Sequence, residues 1–154
     1  MSATESISIR PATAADAAAI AGFNQAMALE TEGKQLSPSA VQGGVLAVFA
    51  DAARGFYLVA EQAGDVVGGL MVTFEWSDWR NADFWWIQSV YVVPQARRQG
   101  IVARLYGEIE VRARAAGACG LRLYVENENA SAIATYHSLG MGDAQYRVME
   151  QSFK

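Results

Sequence analysis

The sequence holds one cysteine, one histidine and three prolines among 154 residues. A lone Cys119 closes no internal disulfide and builds no thiolate metal site. With His137 equally isolated, no His/Cys/Asp cluster suggests a metal, and none is expected. Such a thiol is buried by default, and its solitude points to a reducing, cytoplasmic setting. Basic residues are also scarce. Twelve Lys and Arg stand against sixteen Asp and Glu, a net charge of −4. That balance lacks the basic face with which a dedicated nucleic-acid binder displaces counterions, so no nucleic-acid partner is expected. No apolar run approaches the ~20 residues of a membrane span, and residues 1–5 carry no basic stretch of a targeting signal. A soluble, unprocessed chain with no membrane partner is expected. Repeats, low-complexity tracts and Pro/Ser-rich linkers are missing too, so one domain is expected over residues 1–154, within the usual range of about 100–200.

Hydrophobic residues make up 52% of the chain and include six Tyr, six Phe and four Trp, which excludes disorder. Residues 6–10 alternate as a half-buried strand that Pro11 ends. Thr13 to Asp16 has the spacing of a capping box, opening a helix through Ile20 and Phe23 toward Leu29. Ser37 and Pro38 mark a second helix start. Two strands, 56–60 and 66–76, flank a turn at Gly64 and Asp65, and Gly68-Gly69 signals a bulge or a close backbone approach. A third strand runs over 84–93 to Pro94. A long amphipathic helix then carries Ile101, Leu105, Ile109, Ala113 and Ala116 on one face. The pairs Arg104–Glu108–Arg112 and Glu110–Arg114 lie on the others. Leu121, Leu123 and Val125 alternate as a strand, Asn129 caps a short helix, and residues 144–153 read as a final strand. The sum is a mixed α/β (α+β) domain with one βαβ unit over about 84–125.

The sharpest local signal is Gln95-Ala96-Arg97-Arg98-Gln99-Gly100-Ile101, where a strand ends and a helix begins through a glycine. A helix N-terminus presents unpaired N–H groups and partial positive charge, so it attracts phosphate, and Arg97 or Arg98 can reinforce it. An ordinary strand–helix turn with two solvated arginines is equally consistent with this spacing. The segment lacks the Lys-Ser/Thr end of a P-loop and two of the three glycines of a dinucleotide fingerprint.

This segment resembles motif A of the GCN5-related N-acetyltransferases (GNAT), with Arg97-Arg98-Gln99-Gly100-Ile101-Val102 in place of Gln/Arg-x-x-Gly-x-Gly/Ala. Val102 fills the small-residue slot, followed by Ala103. Residues 129–141, with Asn129, Ala132, Tyr136 and Gly140, resemble motif B, with Met141 replacing its terminal aromatic. The resemblance runs from residue 7 to about 153. It implies a GNAT-like fold: a central mixed, twisted sheet of about six to seven strands, about four helices, and a splayed parallel strand pair at the cofactor site. It also implies acetyl-CoA as co-substrate and transfer of its acetyl group to a primary amine of a small molecule (a polyamine, amino acid or amino sugar). Alternatives are a non-catalytic acyl-CoA sensor and a protein N-terminal or lysine acetyltransferase. A homodimer is a family-based expectation.

By this resemblance the diphosphate rests on backbone N–H groups of Arg98, Gln99, Gly100, Ile101, Val102 and Ala103, helped by Arg97. Val90, Tyr91 and Val92 pair with the pantetheine arm, and Asn129 belongs to the same cofactor set. Tyr136 is the candidate general acid for the leaving thiolate. By its spacing alone it reads as a packed core tyrosine. Some relatives place a carboxylate pair where this chain has Gln88 and Ser89. Gln88 is therefore a candidate for ordering a water, and Glu75 and bulk-connected water are the substitute bases. On the acceptor side, Trp76, Trp79, Trp85 and Trp86 stand near Glu75, Asp78 and Asp83, a composition that suits a cationic amine. Glu30 and Glu32 add negative charge where the family often contacts acceptors. The tryptophans are equally suited to a core or a subunit contact.

Overall fold

The computed structural model describes residues 6–154, so the expectation about residues 1–5 lies outside the described residues. Two compact units divide the chain, the first reaching through Tyr124 and the second spanning Val125–Lys154. In the first, β1 (Ile7–Pro11) leads to α1 (Ala17–Glu32) and α2 (Pro38–Ala50). Then come β2 (Phe56–Gln62), β3 (Asp65–Ser77), β4 (Ala82–Val92), α3 (Ile101–Ala115) and β5 (Gly120–Leu123). The sheet order is β1-β2-β3-β4-β5, antiparallel throughout except for the parallel pair β4–β5 that α3 connects.

Local signals explain most boundaries. Asp16 reaches back to accept the N–H of Thr13 at 2.8 Å, opening the turn that leads into α1. Ser37 caps α2 by accepting from Ala40 N–H, with Pro38 in the first turn. The β2–β3 hairpin turns through Ala63 and Gly64, both at positive φ, one residue earlier than the sequence suggested. On α3, Arg112 pairs with Glu108 and Arg114 with Glu110, each at 2.9 Å. Arg104 instead donates to the carbonyl of Ile7 on β1.

Helices cover both faces of the sheet. Adjacent Gly69 and Gly68 show this directly: a Cβ on Gly69 would meet Phe23 of α1, and one on Gly68 would meet Ile101 of α3. On the first side, Ala17, Ile20, Val45 and Val48 pack against Tyr57 and Val59. Leu58, Leu70 and Val72 of the sheet and Leu105 and Ile109 of α3 are fully buried.

Two expectations need correction. Five strands form among the described residues, not six to seven, because residues 144–153 take no strand hydrogen bonds. Their alternation supplies side chains suited to a pleat, but Tyr146, Val148, Met149 and Phe153 remain exposed, so the pattern buries no apolar face. Gly68 marks a close approach to Tyr91 O and sits beside Val67, the extra residue where the β2–β3 register slips, as the sequence suggested, and a second bulge falls at Gln88 opposite Met71. Cys119 is exposed rather than buried, since it sits in the turn before β5, with its N–H donated to Asp83. Four α-helices form among the described residues, as the resemblance implies. The fourth, α4 (Ala130–Ser138), lies in the second unit, where Asn129 caps it by accepting from Ala132 N–H and His137 pairs with Asp143 at 2.9 Å.

Candidate active site

The parallel ladder between β4 and β5 ends at Ile87↔Leu123, yet β4 continues to Val92. Beyond Ile87, β4 therefore runs on without a β5 partner, on the side where the resemblance implied a splay. Which groups β4 turns to that side follows from its pairing with β3. Val93 N–H donates to Val67 O at 2.9 Å, so the hydrogen-bonded pairs alternate and include Gly69↔Tyr91. Tyr91 thus spends its main chain on β3, and Val92 and Val90 turn theirs the other way.

Just beyond β4, a short 3-10 turn (Pro94–Ala96) leads to Arg98 and Gly100, at φ of 66° and 76°. A glycine meets that backbone demand at Gly100 without cost, whereas Arg98 holds a left-handed conformation against its Cβ. The first intrahelical bond of α3 runs from Arg104 N–H to Gly100 O. Among the described residues, no protein acceptor takes the N–H of Arg98, Gln99, Gly100, Ile101, Val102 or Ala103. Six adjacent donors at a positive helix end are chemically able to take an anion. The side chain of Val102 leaves this main-chain donor set intact. Gln99 is held by its amide, which donates to Ala96 O and accepts from Gln62.

The two arginines divide in role. Arg97 donates from Nε to Val92 O at 2.9 Å and from Nη2 to Glu30 at 2.9 and 3.3 Å, with its guanidinium 5.4 Å from the Tyr91 ring centre. Tyr91 donates its hydroxyl to Glu30 at 3.2 Å, and burial together with that carboxylate pushes its pKa up. Arg98 makes no ion pair or side-chain hydrogen bond with a described residue. Glu30 is thereby joined to the strand end, and Glu32 sits apart, pairing with Lys34 at 3.5 Å.

A second group of side chains gathers near the end of the β4–β5 ladder. Gln88 is the extra residue of a bulge, because Met71 pairs with Ser89 and Val72 with Ile87. This bulge keeps Trp86 and Tyr91 on the same face of the sheet, where an unbroken pleat would oppose them. Gln88 donates to Thr73 Oγ1 at 2.8 Å. Glu75 Oε1 accepts both from Arg122 at 2.8 Å and from Trp86 Nε1 at 3.2 Å. Arg122 lies 3.6 Å over the ring of Phe84, and Trp86 stacks on Tyr124 with ring centres 4.5 Å apart. Sequence reasoning missed Thr73, Phe84, Arg122 and Tyr124. The alternation of Leu121 and Leu123 already implied that Arg122 and Tyr124 share the opposite face of β5.

The tryptophans are not one cluster. Trp85 is buried against Phe56 and Phe74, with edge-on ring contacts of 5.4 and 5.6 Å. Trp76 lines a cleft of about 340 Å³ with Asp83 and the turn after α3. At roughly 3.3 Å per strand residue, that cleft lies about 25 Å from the Gly68 end of the sheet. Trp79 is 89% exposed in the β3–β4 turn. Only Trp86 joins Glu75 near the end of that ladder. Tyr136 stands in α4 of the second unit. Among the described residues, no group of three His, Cys, Asp or Glu side chains is placed to hold a metal. No described helix is long and apolar enough to cross a membrane.

The acetyltransferase (GNAT) family model matches residues 24–141, most of the chain. The chain belongs to the GNAT acetyltransferase family. A solved structure of a possible acetyltransferase from Clostridium difficile 630 is 44% identical to this chain, covering 96% of this chain and 98% of that one with a TM-score of 0.90. An aminoglycoside N-acetyltransferase in complex with CoA has a TM-score of 0.81 over 100% of this chain and 99% of that one, at 11% identity. A ribosomal-protein-alanine N-acetyltransferase from Brucella melitensis biovar Abortus 2308 has a TM-score of 0.76 at 16% identity, over 96% of this chain and 100% of that one. The last two share the fold alone. No curated protein matches the sequence of this GNAT chain.

Proposed function

We propose that this GNAT chain is an acetyl-CoA-dependent N-acetyltransferase acting on a primary amine of a small molecule (a polyamine, amino acid or amino sugar). The observation that carries the reading is the run of acceptor-free N–H groups from Arg98 to Ala103, beside a β4 edge that outruns its β5 partner. The donor set fits a diphosphate followed by an extended amide arm. The helix-end amides take the anion, the free Arg98 guanidinium adds charge, and Val90 and Val92 offer main-chain bonds to the arm. When bound, the co-substrate supplies a thioester with an electrophilic acetyl carbon and a thiol leaving group.

The chain's own residues then have separable tasks. The N–H of Val92 stabilises charge developing on the acyl oxygen, as preorganised donors do at other acyl-transfer sites. An alkylammonium loses its proton near ~10, so a deprotonating path is required. Gln88, with its NH₂ engaged by Thr73, turns its carbonyl oxygen to order an amine or a water. Glu75 already serves Arg122 and Trp86, so it orients a cationic acceptor and leaves proton removal to water. Tyr136, matching the motif B tyrosine, protonates the leaving thiolate. The CoA complex of the aminoglycoside enzyme supports the co-substrate, and that enzyme's name supports a small-molecule acceptor. Cytoplasmic location and a homodimer belong to the same reading.

A second reading is a non-catalytic acyl-CoA sensor, favoured by Gln88 and Ser89 where some relatives carry carboxylates and by the engagement of Glu75. Free-thiol release across a panel of polyamines, amino acids and amino sugars separates the two. Turnover with any of them supports the enzyme. A thermal shift with acetyl-CoA but no thiol release from any amine leaves the sensor, and no shift removes both.

A further inference from the structure

Glu30 stands at the end of α1, where an acceptor contact was expected, but the structure gives it a different set of partners. Its carboxylate takes the Arg97 guanidinium at 2.9 and 3.3 Å and the Tyr91 hydroxyl at 3.2 Å. The same guanidinium donates Nε to Val92 O, the carbonyl that β4 turns away from β3. Tyr91 is fixed from behind by the Phe23 ring of α1, 5.5 Å away. Arg97 is also the residue from which the chain enters the left-handed turn at Arg98 and Gly100. One side chain therefore links three things: α1, the end of β4, and the loop that opens α3.

We propose that Glu30 and Arg97 are positioning residues, a strut that sets the end of β4 and the entry to the 98–103 amide run, and not contacts to acceptor or phosphate. The proposal rests on the acetyl-CoA reading. Its physical content is geometric. A fork-shaped guanidinium satisfies Val92 O through one nitrogen and Glu30 through another, a reach that a point-charge ammonium lacks. By holding Val92 O, Arg97 orients the peptide plane next to the Val92 N–H and hence the edge that meets the pantetheine arm. Glu30 supplies the fixed end of the strut.

The sign of one substitution separates this role from the alternatives. CoA is strongly anionic, so removing a nearby negative charge, or freeing Arg97 to turn to the diphosphate, strengthens CoA binding when Arg97 is a phosphate ligand. The strut requires the opposite. Glu30→Gln weakens CoA binding about three- to fivefold, the scale of a half-exposed ion pair, against the electrostatic trend. Arg97→Lys weakens it as much as Arg97→Ala. The measurement is calorimetric titration of the full chain with CoA, with thermal unfolding to verify that each variant is folded. Unchanged or tighter binding by Glu30→Gln overturns the strut, as does an Arg97→Lys variant that keeps wild-type affinity. Should Glu30→Gln fail to fold, the Arg97 pair decides alone. Absence of CoA binding by the wild type overturns the co-substrate reading itself, and the strut with it.

Discussion

Glu75 on β3 and Arg122 on β5 meet at 2.8 Å across the intervening β4, with Trp86 of β4 donating to the same carboxylate oxygen. The strand between them makes this a cross-sheet tie that no short-range pattern encodes. It also changes what Glu75 can do. A carboxylate bridging an arginine and an indole is held in place on the face where the acceptor is expected.

Glu75→Gln is therefore expected to raise KM for a cationic amine while lowering kcat less than tenfold. The side chains are 46% and 25% exposed, so solvent screening limits the loss of folding stability to about 0–1 kcal/mol. Steady-state kinetics with the best amine of the panel and urea unfolding check the two halves. A fall in kcat of ~100-fold or more, the scale of lost general-base catalysis, gives Glu75 the proton-abstracting role instead.

Acid stability follows from a different carboxylate. Asp16 is buried, accepts from both terminal nitrogens of Arg10 at 2.8 and 3.0 Å, and accepts from Thr13 N–H. Hydrogen bonding to Arg10 is the largest cause holding its carboxyl below the usual range, opposed by burial. A depressed folded pKa contributes stability that is complete above the unfolded value near ~3.9 and is lost as pH falls through the folded value. Asp16→Asn is expected to cost about 1–3 kcal/mol at neutral pH. It also flattens the decline in stability below pH ~4, as seen in denaturant unfolding at a series of pH values. An unchanged acid limb assigns the decline to other carboxylates.

Local chemistry made much of this legible in the sequence. Ser37-Pro38 announced α2, the strand–glycine–helix passage announced the start of α3, and β4–α3–β5 followed from its periodicities. Partnerships across the sheet were not legible, because they depend on register. Arg97 read as a phosphate contact and Glu30 as an acceptor contact, and only the fold brings these residues, 67 positions apart, into one ion pair. The bulge at Gln88 has no signature in an apolar, β-prone run, yet it decides which face Trp86 occupies. Residues 144–153 show the converse, an alternation with no ladder to join.

Two glycines in the first unit should respond oppositely to alanine. A Cβ on Gly68 would lie 2.9 Å from Tyr91 O and 3.3 Å from Val92 Cγ2, so the end of β4 must move. Gly68→Ala is expected to destabilise by about 1–3 kcal/mol and to weaken CoA binding through the same displacement. A Cβ on Gly107, within α3, meets nothing within 4 Å, and Gly107→Ala is expected to stabilise by about 0.4–1 kcal/mol. Thermal or urea unfolding of the pair tests the contrast. Wild-type stability and affinity in Gly68→Ala dismiss the close approach as a constraint.

Tyr136 offers the most direct test of the chemistry. Its hydroxyl is the only atom that Tyr136→Phe removes, so the ring and its packing in α4 stay. If the phenol protonates the departing thiolate, kcat falls by about 10²–10⁴, while CoA, which has no acyl bond to break, binds as to the wild type. A packed tyrosine predicts the reverse pattern: wild-type kcat with a loss confined to stability. Stopped-assay thiol release and calorimetric CoA titration on the same variant distinguish them. The protonation step also sets a rescue. Thioesters with more acidic thiols leave without help, so an acetyl thioester of an electron-poor arylthiol should narrow the gap between Tyr136→Phe and wild type. An equal deficit with both donors removes the phenol from the leaving-group step.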